Sequence, residues 1–156
     1  MKKLLWISLA ILFLALQACD IDEPDDSLDG NYYSETEAQI LTLVNEYRLS
    51  EGLKALTMDS VIWRYATEHN NYQINLEDIN HDNFSERIEN LIAEIGGGAA
   101  AENVAMGYES PEAVVQGWIS SEGHRLNMLG DYDLTGISAK KSSAGDWYYC
   151  QIFLNK

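Results

Sequence analysis

The stretch DWYYCQIFL, Asp146 to Leu154, decides the fold. Read with a period of two, it puts Tyr148, Cys150, Ile152 and Leu154 on one face and Trp147, Tyr149 and Phe153 on the other. Both faces are apolar, so a strand here must be covered from both sides. Upstream, LTGISAKK (Leu134 to Lys141) also reads as a strand, and SSAG (Ser142 to Gly145) between them predicts a hairpin. The remainder reads as helices, and these are the only layers available to cover the sheet. The expected architecture is α+β: a three-layer α-β-α sandwich on a small, mostly antiparallel central sheet.

Four helices are expected. Ser34-Glu35-Thr36-Glu37 is a capping-box signature, followed by Ile40, Leu43, Val44 and Tyr47 at helical spacing up to Gly52. A second helix starts after Asp59, with Ile62, Tyr65, Ala66 and His69 on one face, and runs to about Ile74; His69 on that stripe reads as a packed histidine with its hydrogen bonds satisfied. NLEDINHDN reads as a loop. A third helix buries Phe84, Ile88, Leu91, Ile92 and Ile95 and ends at Gly96-Gly97-Gly98, a connector that lacks the lysine or glycine spacing of a phosphate cradle. Ser110-Pro111-Glu112 opens the fourth, with Val114, Val115 and Trp118 facing inward.

The chain has 156 residues, enough for one domain with a core, and a formal charge of −15. Such a surface repels phosphate backbones, which excludes nucleic acid as an expected partner, and it disfavours adsorption to anionic lipid. Membrane association therefore needs another source. Lys2 and Lys3 followed by an apolar run from Leu4 to Leu16 read as a signal peptide over residues 1–18, too short to span a membrane permanently. Leu16-Gln17-Ala18-Cys19 resembles a bacterial lipobox, which implies lipidation of Cys19 and anchoring of the exported protein to the cell envelope. Removing residues 1–18 leaves 8 basic against 25 acidic residues, a charge of −17. Residues 19–33 then read as an acidic tether, with Asp20, Asp22 and Glu23 suited to surface sorting, and 34–156 as the domain. Cys19 and Cys150 are the only cysteines, so lipidating the first leaves no disulfide, and Cys150 reads as a buried small hydrophobe.

WISSEGHRLNML, Trp118 to Leu129, places a histidine just past an apolar helix. His124 could be a metal ligand, a catalytic base, or a hydrogen-bonded corner holding a loop shut. Three segments bear on the choice: NHDNFSER, AAAENVAMGYESPEAVVQGW and SSEGHRLNML, followed by TGIS and the aromatic final strand. In this order and spacing they resemble the CAP superfamily, the SCP-like extracellular proteins, in its short bacterial form, over roughly Ser34 to Leu154. The resemblance implies an α-β-α fold and a cleft in which His81, Glu102 and His124 hold a divalent cation such as zinc. Ala101 stands where the family has the glycine of its GEN motif. The family's second glutamate falls on Ser121, with Glu122 one residue out of register. Asn103, Arg125 and Asn127 are expected to orient the cleft by hydrogen bonds.

Two imidazoles and a carboxylate with a water suffice chemically for zinc. No HExxH helix and no nucleophile elbow around Ser120 or Ser121 accompanies them, so no catalytic residue is assigned. The function expected is a non-enzymatic, membrane-anchored binding domain for a divalent cation, a lipid or a cell-envelope ligand. A metal-assisted hydrolase using the same cleft, and a structural module of the envelope, are the alternatives. The family's sterol sites depend on extensions that this chain lacks.

Overall fold

The structure is a computed structural model that describes residues 32–156; the signal segment, Cys19 and most of the tether lie outside the described residues. Its elements in order are α1 (Glu35–Ser50), β1 (Thr57–Met58), α2 (Ser60–Leu76), α3 (Phe84–Ile95), β2 (Ala100–Met106), α4 (Pro111–Ser120), α5 (Glu122–Met128), β3 (Leu134–Lys141) and β4 (Trp147–Leu154). The helix starts follow from local chemistry. In α1, Ser34 Oγ accepts from Glu37 N while the Glu37 carboxylate accepts from Ser34 N, the reciprocal pair of a capping box. Asp59 caps α2 through Val61 N and Ile62 N, and Ser110 caps α4 ahead of Pro111.

The sheet runs β1-β3-β4-β2, with only the short β1–β3 pair parallel. The hairpin predicted from SSAG joins β3 and β4, with Lys141 opposite Trp147. The two faces of β4 enter two separate cores. Tyr149 and Phe153 pack with Ile40, Val44, Val114, Trp118 and Met128, beneath α1, α4 and α5. Cys150, Ile152 and Leu154 pack with Ile62, Ala66, Ile88 and Leu91, beneath α2 and α3. This is the three-layer sandwich. At Gly136 a Cβ would stand 2.2 Å from the backbone of Ile62 and Trp63, so this glycine lets α2 lie directly on β3.

Three elements depart from the sequence reading, the first being the two-residue β1 between α1 and α2. Ala100–Met106, given no secondary structure in that reading, is β2, the edge strand beside β4. Its apolar period is broken by Glu102 and Asn103, both buried, one on each face. The break after Trp118 is a helix of its own: Ser121 is extended (φ −96°, ψ 121°), and the backbone re-enters a helix from Glu122, so His124 sits within α5.

Candidate functional site

The site is organised around Glu102. Alternation along β2 sends Ala101, Asn103 and Ala105 toward α1, α4 and α5, and Glu102 and Val104 toward α2 and α3. A carboxylate placed there must be paired to be tolerated. Arg87, one turn into α3, supplies the fork: Nη2 lies 2.7 Å from Oε2 and 2.9 Å from Oε1, and Nε lies 3.0 Å from Oε2. The two side chains are 9% and 1% exposed, so this ion pair is withdrawn from solvent. Cys150 Sγ, 3.8 Å from Oε2, donates weakly to the same carboxylate, and burial pushes its thiol well above the usual range. It is a packed thiol, not a nucleophile.

His81 completes the arrangement from the loop before α3. Its Nδ1 stands 2.8 Å from Glu102 Oε1. A carboxylate held by Arg87 only accepts hydrogen bonds, so Nδ1 carries the proton, and Nε2 of the neutral ring is left as an acceptor. The loop is pinned on both sides of this residue. His69 Nε2 donates to Asn80 O at 2.9 Å, and Arg87 Nη1 donates to Asp82 O at 2.9 Å. Asp82 N donates to Asn80 Oδ1, and Phe84 N donates to His81 O as α3 begins. His69 is the packed, satisfied histidine its stripe suggested, and it also lies 3.6 Å from Glu102 Oε1. Burial lowers its basicity, an effect opposed by the Glu102 charge.

The other expected residues lie on the opposite side of β2. Asn103 Nδ2 donates to His124 O, while Asn127 Nδ2 donates to both Glu102 O and Asn103 Oδ1. These amides clip α5 to the edge strand. Arg125 Nη1 donates back to Ile119 O at the end of α4. Ser121 makes no side-chain cap, and Glu122 is exposed in the first turn of α5. His124 Nδ1 is buried without a hydrogen-bond partner, and its basicity is lowered by burial and then by the charge of His81.

The expected zinc shell of His81, Glu102 and His124 does not assemble in this arrangement. Both Glu102 oxygens are committed to Arg87. Among the described residues, no group of three or more His, Cys, Asp or Glu side chains is placed to hold a metal ion. These residues do not fit the cation as one coordination shell. The loop of His81 and helix α5 approach the edge strand from its two sides, leaving a cleft of about 280 Å³ lined by His81, Phe84, Ala100, Ala101, Glu102 and Asn127.

Arg87 has no role in the sequence reading, yet its position in α3 carries a signal. It sits three residues after Phe84 and four before Leu91, so it is a charge on the apolar stripe of α3. Such a residue needs a buried counter-charge, and Glu102 is that group.

With this geometry in hand, the sequence profile of the CAP family, the Cysteine-rich secretory protein family, matches residues 41–153. The chain belongs to the CAP family. Membrane protein YlbC of Bacillus subtilis (strain 168) is 31% identical over 131 residues, which cover 78% of this chain and 35% of that protein. The CAP chain therefore spans about a third of that relative's length. An extracellular protein containing a SCP domain from Bacillus anthracis str. Ames superposes with a TM-score of 0.69 at 27% identity, covering 78% of this chain and 40% of the other. An outer surface protein from Borrelia burgdorferi superposes with a TM-score of 0.69 at 20% identity, covering 79% of this chain and 96% of the other, and shares the CAP fold. Among the described residues no helix is long and apolar enough to cross a membrane.

Proposed function

We propose that this CAP domain is an exported, lipid-anchored binding module that uses the cleft beside β2 to hold a cell-envelope ligand without chemical turnover. The observation that carries the reading is the presentation of His81. Its side chain is 54% exposed, whereas the Glu102 that orients it is 1% exposed, so a half-open imidazole is aimed by a buried support. Binding sites are built this way, with a rigid interior placing a few polar atoms on a cleft wall. The anchor would be the lipid on Cys19, with the acidic tether as spacer. The extracellular and outer-surface relatives support this setting.

Hydrolysis is the second reading, because an imidazole oriented by a carboxylate is also the pairing of a general base. Ser120 is not placed as its nucleophile, because its Oγ donates to Gln116 O on its own helix. The test incubates the mature chain, with Cys19→Ser to keep it free of lipid, with isolated cell walls and with lipid vesicles. Retention that falls in His81→Leu, with no soluble fragments released, is the expected result. Fragments whose release depends on His81 would replace the binding reading with the hydrolase, and retention indifferent to His81 would leave only a structural module.

A further inference from the structure

The atoms that face the cleft specify the chemistry of its ligand. Asn103 Nδ2 donates to a carbonyl, His124 O, so Asn103 Oδ1 must be the atom that accepts from Asn127 Nδ2. Asn127 Nδ2 also donates to Glu102 O, which commits both protons of its amide. Its Oδ1 has no donor among the described hydrogen bonds, and Asn127 lines the cleft. His81 likewise gives its Nδ1 to Glu102 and keeps Nε2 open in the neutral ring. With the Glu102 carboxylate already engaged by Arg87 and His81, the polar side chains of the wall offer two open acceptors, His81 Nε2 and Asn127 Oδ1, while Phe84, Ala100 and Ala101 offer apolar surface.

Charge narrows the class further. Among the described residues, Glu102 is the only ionisable group on the wall besides His81, and Arg87 neutralises it at 2.7 Å. A cationic ligand would find no uncompensated carboxylate there and would face the guanidinium behind it. An anionic ligand would meet acceptor atoms on a strongly acidic protein. We infer that the cleft takes a neutral ligand bearing N–H and O–H donors beside an apolar face, a single N-acetylated sugar unit of an envelope glycan. Its volume of about 280 Å³ lies just below the roughly 300–1,000 Å³ range of small-molecule sites, which suits one ring of a longer chain. The amide N–H and a hydroxyl meet the two acceptors, and the acetyl methyl lies against Phe84 and the two alanines.

This inference rests on the cleft being the binding site. The experiment titrates the same Cys19→Ser mature chain with a neutral N-acetylglucosamine oligomer and with its deacetylated, positively charged counterpart, following the Asn127 side-chain amide and Phe84 by NMR. The neutral oligomer is expected to move both signals. Losing one hydrogen bond in His81→Leu should weaken it roughly three- to tenfold, and His81→Gln, which keeps an acceptor, should recover most of that. The imidazole is half exposed and Arg87 still forks onto Glu102 in both variants, so both are expected to fold, which their thermal unfolding checks. If the charged oligomer binds as well or better, the neutral class is wrong while the cleft stands. If neither oligomer moves these signals but retention on cell walls still depends on His81, the ligand class is overturned and the binding reading survives. If retention is also indifferent to His81, both are overturned.

Discussion

The Nδ1 of His81 lies 2.8 Å from Oε1 of Glu102, and that carboxylate is held on its other side by Arg87 at 2.7 Å. A cleft residue is thus positioned by an ion pair in the interior, and disturbing the pair reaches both stability and the cleft. Glu102→Ala strands the guanidinium of Arg87, and breaking a buried pair in this way costs about 3–5 kcal/mol. Arg87→Met alone should cost a similar amount. The double variant Arg87→Met/Glu102→Leu should cost clearly less than the two together, because no charge is left unpaired. Urea unfolding of the four proteins checks this; additive losses would mean that the pair is not coupled.

Titration of the buried histidines should appear in the pH dependence of stability. The folded-state basicity of His69 and His124 is lowered, chiefly by burial, so the unfolded chain binds protons more readily. Their contribution is complete above the ordinary histidine value of 6.5 and is lost as pH falls through the lowered folded values. Glu37 works the other way. Burial raises its carboxyl above 4.5, so its contribution is complete below that value and declines as pH rises through the raised one. Unfolding free energy measured from pH 4 to 8 should therefore rise less steeply toward neutrality in His69→Gln than in the parent; an unchanged profile would contradict the assignment.

Gly136→Ala should be among the most damaging single-methyl additions in the chain. The added carbon would meet helix backbone at 2.2 Å, which cannot rotate away as a side chain can. Overpacking of this kind costs about 1–3 kcal/mol and occasionally more, and the upper end is expected here. Thermal unfolding reads it directly, with Gly123→Ala, where no atom lies within 4 Å, as the control.

Arg48 should not tolerate lysine. It is buried and donates to Lys54 O, Met128 O, Gly130 O and Tyr132 O, gathering the turn after α1 and the segment after α5 onto one guanidinium. An ammonium has three donors and no planar fork, so Arg48→Lys leaves at least one of these four carbonyls unpaired, at about 1 kcal/mol, and more if it is the buried Met128 O. Faster amide exchange in residues 128–132 would accompany the loss, and parental exchange there would argue against this role.

Much of the fold was legible in the sequence because its signals are local. The two faces of Trp147–Leu154, the Ser34–Glu37 box and Ser110-Pro111 each state their structure within a few residues. What escaped was set by partners distant in sequence. Strand β2 carries Glu102 and Asn103 inside the protein, and only Arg87, 15 residues away, and Asn127, 24 residues from Asn103, make that burial tolerable. The position of His124 escaped for a related reason. The extended backbone of Ser121 that starts a separate α5 is a single-residue event with no side-chain cap to announce it. His81 and Glu102 were found through the resemblance of their motifs, but the cation that accompanies Glu102 is a side chain of this protein.

The most direct test of this account is the imidazole ¹⁵N spectrum of His81 in the mature chain above pH 7.5. The expected ring is protonated on Nδ1 with a lone pair on Nε2, its tautomer preference weakens in Glu102→Gln, and its Nε2 signal moves when envelope ligand is added. A ring protonated on Nε2, or an Nε2 signal indifferent to ligand, would contradict the claim that Glu102 and Arg87 present His81 to the cleft.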